Sequence, residues 1–265
     1  MRLQERDYLI GMTEEERQKY GDMTPFELQH GVKAGMHILT PEPSVKKHLR
    51  SLFPNNYMDP SMLKDDSTLA LANTDFKKLL DDSSITERNI LNFINQNHYF
   101  HIPTSIIRGG NFRFGHHGAF LFPEFQMGTS YKADYLLIGK SSGGYEFIFV
   151  EFENPYKNIT REDGELGETF NKGIRQVKDW KRWLDSNFSS LSEYWRKNTL
   201  QFLPEEFISY EATRFHYVVV AGRRDDFKNK TYSIAREYHS AFDITLMHYD
   251  NLYDCACDAP NYCTY

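Results

Sequence analysis

The sequence predicts an α/β protein with a mixed central sheet and helices packed on the faces of that sheet. Apolar strand-like segments alternate along the chain with segments of helical periodicity, in the order helix, strands, helix, strand. Hydrophobic residues make up 40% and charged residues 26% of the chain, which excludes a disordered protein. With 265 residues, the chain can bury a large core without disulfides or structural metals.

The first 80 residues are predicted to be helical. Thr24 and Glu27 have the spacing of a capping box, and apolar residues follow them at helical intervals. Two further helices are expected over Val45–Phe53 and Leu69–Leu80, separated by a stretch rich in proline and asparagine. Nothing in this stretch suggests chemistry. We therefore expect residues 1–82 to form a helical N-terminal region of unknown role.

A more regular pattern begins after this region. Ser84 and Glu87 have the form of another capping box, which predicts a helix that ends near His98. After a glycine-rich stretch and an apolar segment, two strands are expected, Tyr131–Gly139 and Tyr145–Asn154. The short segment between them, rich in serine and glycine, predicts that they form a hairpin.

The remaining elements alternate between helix and strand. A long helix is expected from about Glu165 to Ser186 and a strand over Phe215–Ala221. A helix near Tyr232–Ser240 and a last strand, Asp243–Tyr249, follow. We expect residues 83–254 to form one domain.

Charge and cysteine content restrict the function classes. The chain has 31 basic and 37 acidic residues, a net charge of −6, so any nucleic-acid binding must use a local patch. No apolar run approaches the roughly 20 residues of a membrane helix, and the N-terminus lacks the apolar segment of a secretory signal. Residues 255–265 are expected to form a C-terminal tail, in which Cys255, Cys257 and Cys263 are free thiols. We expect a cytoplasmic protein without membrane contact.

The predicted hairpin carries an unusual group of carboxylates. Glu151 and Glu153 lie on the same face of the second strand because side chains alternate along a strand. If Ser141–Gly144 is a four-residue loop, the positions of paired residues sum to 285, and Asp134 lies opposite Glu151. A five-residue loop would move Asp134 to the other face unless a bulge restored the register.

Three carboxylates on one patch of an apolar hairpin need neutralisation. A divalent cation, a lysine or arginine, or solvent at an exposed edge could each provide it. Carboxylate oxygens at this spacing suit a hard cation such as Mg²⁺, which retains several waters. An exposed strand face that is acidic without binding a metal is the alternative.

The long helix adds polar groups that could meet these carboxylates. Gln176 is the polar member of a second apolar stripe, and Lys172 lies one turn before it. The acidic hairpin could supply their acceptors, although backbone groups could also satisfy the glutamine. Residues 171–182 carry a local charge of +4, which suits either a phosphate backbone or a solvated helix face.

Several short runs resemble a known enzyme family. Ala133–Leu137, Val150–Pro155 and Gly173–Trp180 together resemble the core of PD-(D/E)XK nucleases and, more narrowly, the Shedu group of bacterial anti-phage defence nucleases. Tyr217–Arg224 and Met247–Leu252 are similar to the final strands of that group. The resemblance covers about two thirds of the chain and excludes the N-terminal region.

The resemblance implies a restriction-endonuclease-like fold and hydrolysis of DNA phosphodiesters that depends on Mg²⁺ (or Mn²⁺). It implies that Asp134 and Glu151 hold the metal and that Gln176 lines the site. Glu87 matches the position of a further acidic residue in many such cores, but it is equally explained as a capping partner. The resemblance also implies a homo-oligomer, which the two-sided apolar helix and its tryptophans, expected at the surface, favour.

Glu153 departs from the family pattern because it stands where the motif has a lysine. Lys172 could reach the site and replace that lysine, or Glu153 could join the metal ligands or hold a second ion. Otherwise the chain is a catalytically inactive nuclease-fold module that binds nucleic acid or acts as a scaffold. The residues expected to contact DNA are Arg175, Lys178 and Arg223.

Overall fold

The computed structural model describes residues 6–18, 45–64, 66–262 and 264–265 of the chain. The helix predicted after Thr24 and the thiol of Cys263 lie outside the described residues.

The described residues form a six-stranded sheet whose strands follow one another in chain order. The first four strands pair antiparallel, and the fourth, fifth and sixth pair parallel. This mixed sheet confirms the predicted fold class. The strands are β1 (Tyr57–Met58), β2 (Gly118–Met127), β3 (Tyr131–Ser141), β4 (Gly144–Phe152), β5 (Phe215–Val220) and β6 (Ile244–Met247).

Helices cover both faces of the sheet. In the part of the chain that the structure describes, no helix is both long enough and apolar enough to cross a bilayer. Among the described residues after position 44, the α-helices are α1 (Val45–Arg50), α2 (Asp66–Leu80), α3 (Glu87–Asn97), α4 (His101–Thr104), α5 (Ile106–Gly109), α6 (Glu168–Lys197), α7 (Asn229–Phe242) and α8 (Tyr249–Asp258).

Each face of the sheet has its own apolar core. Phe147 and Phe149 of β4 pack on one face with α6, whereas Ile148 and Val150 pack on the other with α2, α3 and α8. This alternation confirms the predicted assignment of β4 side chains to two faces. The tryptophans were expected at the surface, and this prediction is wrong. Trp180 and Trp195 are fully buried in the α6 core, and Trp183 is half-buried against it.

The hairpin has the predicted register. Tyr135 pairs with Val150 and Lys140 with Tyr145, so the paired positions sum to 285. Pairing continues to one further pair, so the turn itself has two residues rather than four. Gly144 ends the turn with φ +106°, a conformation that favours glycine.

Two predicted elements end in different places. The long helix continues to Lys197, with a break in helical geometry at Asn187, because buried apolar residues extend its stripe past the predicted end. The last strand stops at Met247, and α8 follows. Cys255 and Cys257, assigned to a tail from the sequence, lie on α8, which packs against α2; neither forms a disulfide.

An ion-pair cluster lies at the end of the parallel strands near the start of β4. His216 on β5 contacts Glu146 and Asp243 with its two ring nitrogens, each at 2.8 Å. Burial alone would lower the pKa of His216, but these two carboxylates raise it to about 9. The imidazolium therefore links β4, β5 and the segment that leads into β6.

Candidate metal-binding carboxylate site

Two buried glutamates stand at the carboxyl end of β4. Glu151 is 4% and Glu153 2% exposed, values that acidic residues reach only when their charge is neutralised. Glu153 lies against α6, where its Cγ atom would be 3.2 Å from a Cβ atom at Gly173. Glu153 therefore lies on the side of the sheet that α6 covers.

Asp134 approaches the same end of β4 from β3. The β3–β4 ladder ends at Tyr135–Val150, so Asp134 and Glu151 are not a ladder pair, although they are next in the register. Instead the Asp134 Oδ2 atom accepts a hydrogen bond from the Phe152 backbone N–H at 2.7 Å. Phe152 is the residue between Glu151 and Glu153, so this bond holds the Asp134 carboxylate beside the end of β4.

Lys172 supplies the cation that contacts Glu153. The Lys172 Nζ atom donates a hydrogen bond to Glu153 Oε2 at 2.8 Å, while the lysine side chain stays 56% exposed. Gly173, the next residue, allows α6 to pack closely on β5, because a Cβ atom at this position would lie 2.6 Å from Val219 Cγ1. This close packing brings the start of α6 near Glu153. Lys172 therefore contacts the acidic hairpin, the geometry required by one of the two alternatives that the sequence left open.

Glu87 is a fourth carboxylate near the cluster. The predicted Ser84–Glu87 capping box is wrong, because Thr86 is the N-cap residue and Asn89 completes the box. Glu87 is therefore not needed for capping, and it begins α3 with a half-buried side chain. Burial raises its pKa, and the charge of Lys172 opposes that change.

Burial and mutual repulsion dominate the electrostatics of this site. Desolvation, followed by the charges of neighbouring carboxylates, raises the pKa of Glu151 well above its ordinary range. The pKa of Asp134 is also raised, first by burial, with the Phe152 N–H opposing the change. Burial tends to lower the pKa of Lys172, but Glu153, Glu87 and Glu151 outweigh it and raise that pKa. The cluster therefore requires bound protons or an additional cation.

The donor atoms suit a divalent cation with few protein ligands. Glu151 Oε2 and Glu153 Oε1 are buried and have no hydrogen-bond partner. Among the described residues, however, no three carboxylate, imidazole or thiol groups converge as the ligands of one ion. Asp134 and Glu151 fit Mg²⁺, which commonly takes one or two protein carboxylates and completes its coordination with water and phosphate oxygens. Glu153, the third expected ligand, is paired with Lys172 instead.

Comparison with known families confirms the Shedu part of the resemblance. The family model described as Shedu protein SduA, C-terminal, matches residues 84–253, more than half of the chain. The chain belongs to the Shedu family. No curated protein matches it. The matched Shedu region contains Glu87, Asp134, Glu151, Glu153 and Lys172, so the whole carboxylate cluster lies within it.

The other expected residues of the Shedu region have varied surroundings. Gln176 is half-buried one turn after Lys172, and within the described chain it makes no hydrogen bond to the carboxylates. Arg175 is exposed and pairs with Glu168 at 2.6 Å. The Lys178 Nζ atom lies 4.8 Å from the centroid of the Phe242 ring, a cation–π contact.

Arg223 is held within the protein. Its guanidinium donates to both carboxylate oxygens of Asp250 at 3.0 and 2.8 Å, and also to the Leu80 carbonyl and the Tyr156 hydroxyl. This network joins the end of α2 to the segments that follow β4, β5 and β6. An open cleft of about 500 Å³ lies beside it.

Sequence reasoning missed one pair at the site. Lys132, two residues before Asp134, donates to Glu124 at 2.6 Å across the β2–β3 ladder. The nearness of Lys132 to Asp134 along the chain was the signal that could have indicated this pair. Glu124 itself has a left-handed backbone, with φ +49°, which no sequence signal indicated.

Proposed function

We propose that this Shedu-family chain is a metal-dependent nuclease that hydrolyses DNA phosphodiester bonds in anti-phage defence. The observation that carries the proposal is the burial of Asp134 and Glu151 together, with Glu151 Oε2 lacking any partner. Such an arrangement is unfavourable for two charged carboxylates unless bound protons or a cation compensate it, and a divalent cation is the compensation that a nuclease would use. The implied PD-(D/E)XK activity and family membership support a nuclease rather than a structural acidic cluster.

Asp134 and Glu151 would hold Mg²⁺ or Mn²⁺. When bound, the ion would offset negative charge on the phosphate and activate the attacking water. The chain's own contribution is to orient these carboxylates: the Phe152 N–H fixes Asp134 at 2.7 Å, and burial on β4 restricts Glu151. A hydrogen bond from a rigid strand is the type of support that such a site needs.

Lys172 would take the part of the missing motif lysine. Glu153 holds its ammonium at 2.8 Å, and the surrounding carboxylates keep it charged. A fixed cation beside the reacting phosphate stabilises the charge that develops in the transition state. This contact supports the lysine alternative over a second ion held by Glu153, because Glu153 Oε2 is already occupied.

Plasmid cleavage tests the proposal. We expect the wild-type chain to nick or cut plasmid, linear duplex or single-stranded DNA with Mg²⁺ or Mn²⁺ and to be inactive with EDTA. Asp134→Asn should abolish cleavage, whereas Glu193→Gln, an exposed control on α6, should not change it. No cleavage of any of these substrates with either ion, or full activity of Asp134→Asn, would contradict the proposal.

The second candidate is an inactive nuclease-fold module that binds nucleic acid or serves as a scaffold. Glu153 favours it, because this residue replaces the motif lysine and pairs with Lys172. DNA retention that depends on salt, without metal-dependent cutting, would identify the binding module. Absence of salt-dependent retention would instead indicate a scaffold.

We also propose that the protein is a cytoplasmic homo-oligomer. The fully exposed Phe202 and the 71% exposed Leu200 provide apolar surface that a second copy could cover. Light scattering of the wild type and of the Phe202→Ser variant would test this assembly. A monomeric wild-type protein at micromolar concentration would contradict it.

A further inference from the structure

The backbone of β2 is irregular where it passes Asp134. Glu124 has φ +49°, a left-handed conformation that residues other than glycine seldom adopt. Its neighbours Pro123 and Phe125 pair with Tyr135 and Ala133 of β3. Glu124 therefore occupies the position across the ladder from Asp134.

The irregularity also changes which side chains face the α6 core. Phe122 and Phe125 are three residues apart, so a regular strand would place them on opposite faces. Both instead pack in the α6 core, with ring centroids 5.8 Å apart. Strained positions of this kind persist where the surrounding structure imposes them, and they concentrate at functional sites. Because the irregular residue lies across the ladder from Asp134, Glu124 is a candidate for a role at the carboxylate site.

The Glu124 side chain contacts a lysine rather than joining the buried carboxylates. Glu124 Oε1 accepts a hydrogen bond from Lys132 Nζ at 2.6 Å, and the two side chains are 48% and 40% exposed. Lys132 lies two residues before Asp134 on β3. A partly exposed ammonium group is therefore held at the strand position that faces Asp134 across the ladder.

Two lysines thus border the cluster, and a glutamate holds each of them. Glu153, the partner of Lys172, is 3% exposed in its side chain, so that pair is anchored in the protein. Glu124, the partner of Lys132, is half exposed, and an ion pair in this setting is weak and screened by salt. A phosphate group can replace such a partner at low cost, because solvent already reaches both charges.

We infer that Lys132 binds a phosphate of the DNA strand at this site and that Glu124 is a competing partner, whose carboxylate occupies the lysine until the phosphate displaces that carboxylate. The inference rests on the proposed function, which supplies DNA as the ligand. On this inference, Lys132 binds the DNA strand at the β3 side of the cluster, and Lys172 acts on the reacting phosphate at the β4 side.

DNA affinity measured over a range of salt concentrations tests the inference. A fluorescent duplex with Ca²⁺ in place of Mg²⁺ is used as the probe, with all variants checked for unchanged circular dichroism. Lys132→Ala should weaken binding and reduce the slope of log affinity against log salt by about 1, the value for one lost phosphate contact. Lys132→Arg should restore the slope. Lys197→Ala, an exposed control at the end of α6, should leave it unchanged.

Glu124→Gln tests whether the Glu124 carboxylate competes with phosphate for Lys132. Removing the competing carboxylate should tighten DNA binding about twofold or more, the opposite direction to Lys132→Ala. Unchanged or weaker binding by Glu124→Gln would refute displacement by phosphate. An unchanged slope and affinity for Lys132→Ala would overturn the phosphate contact itself.

The two proposals fail separately. If Asp134→Asn abolishes cleavage while Lys132→Ala binds DNA as the wild type does, the nuclease stands and the Lys132 contact is wrong. If the wild type never cuts DNA but Lys132→Ala still reduces the salt slope, the contact stands and the nuclease proposal is wrong. A wild-type chain with no salt-dependent DNA affinity would overturn the Lys132 contact as well.

Discussion

Replacing Glu151 with glutamine should stabilise the metal-free protein, and the gain should grow with pH. Burial and then the charges of Asp134, Glu153 and Glu87 raise the pKa of Glu151 in the folded chain. The folded state therefore keeps a proton that the unfolded state releases above a pKa near 4. Stability from this group is greatest at acidic pH and is lost as pH rises from about 4 through neutrality.

One retained proton makes the free energy of unfolding fall by about 1.4 kcal/mol per pH unit. Between pH 5 and pH 7, Glu151→Gln should therefore gain up to about 3 kcal/mol on the wild type. The assay is urea unfolding with EDTA at several pH values, with Glu193→Gln as the exposed control. A Glu151→Gln variant that is less stable than the wild type by a pH-independent amount would refute the reasoning.

Three further predictions concern neighbouring structure. Lys172→Ala should reduce cleavage at least tenfold, because Glu153 no longer positions a cation, and Lys172→Arg should recover part of the rate; full activity of the alanine variant in a plasmid assay would exclude this role. His216→Gln should lower the free energy of unfolding by about 1–3 kcal/mol at pH 6. The difference from the wild type should shrink between pH 6.5 and about 9, because His216, whose pKa is raised to about 9 in the folded chain, loses its proton over this range. A difference that stays constant across this range in urea titrations would contradict the prediction. Gly173→Ala places a Cβ atom 2.6 Å from Val219 Cγ1, so overpacking of about 1–3 kcal/mol should exceed the gain of about 1 kcal/mol in helix propensity; a variant more stable than the wild type would show that α6 can move without penalty.

The elements of the sheet could be predicted because their local patterns agree with their tertiary surroundings. The alternation of phenylalanines with aliphatic residues in β4 matches two different cores, so both its faces and its register followed from the sequence. The end of α6 did not follow, because burial of Leu191 and Trp195 depends on residues distant in sequence. The break at Asn187 has no periodic signal of its own.

The candidate site was predictable in part. The register that brings Asp134 next to Glu151 followed from the hairpin pattern, whereas the contact of Lys172 with Glu153 was one of two alternatives that the sequence left open. The side-chain hydrogen bond from Phe152 N–H to Asp134 could not be predicted, because it exists only where the β3–β4 ladder stops. The first residue of α3 could not be predicted either, because Ser84 and Thr86 are both good N-cap residues. In the structure, Thr86 is the N-cap.

The most direct test of the metal site is an anomalous difference map from crystals grown with Mn²⁺. If Asp134 and Glu151 are buried together in order to hold a divalent cation, a strong peak should contact oxygens of both side chains and vanish in Asp134→Asn. No peak at these residues at millimolar Mn²⁺, with both wild-type carboxylates ordered in the electron density, would contradict the assignment of a metal site here.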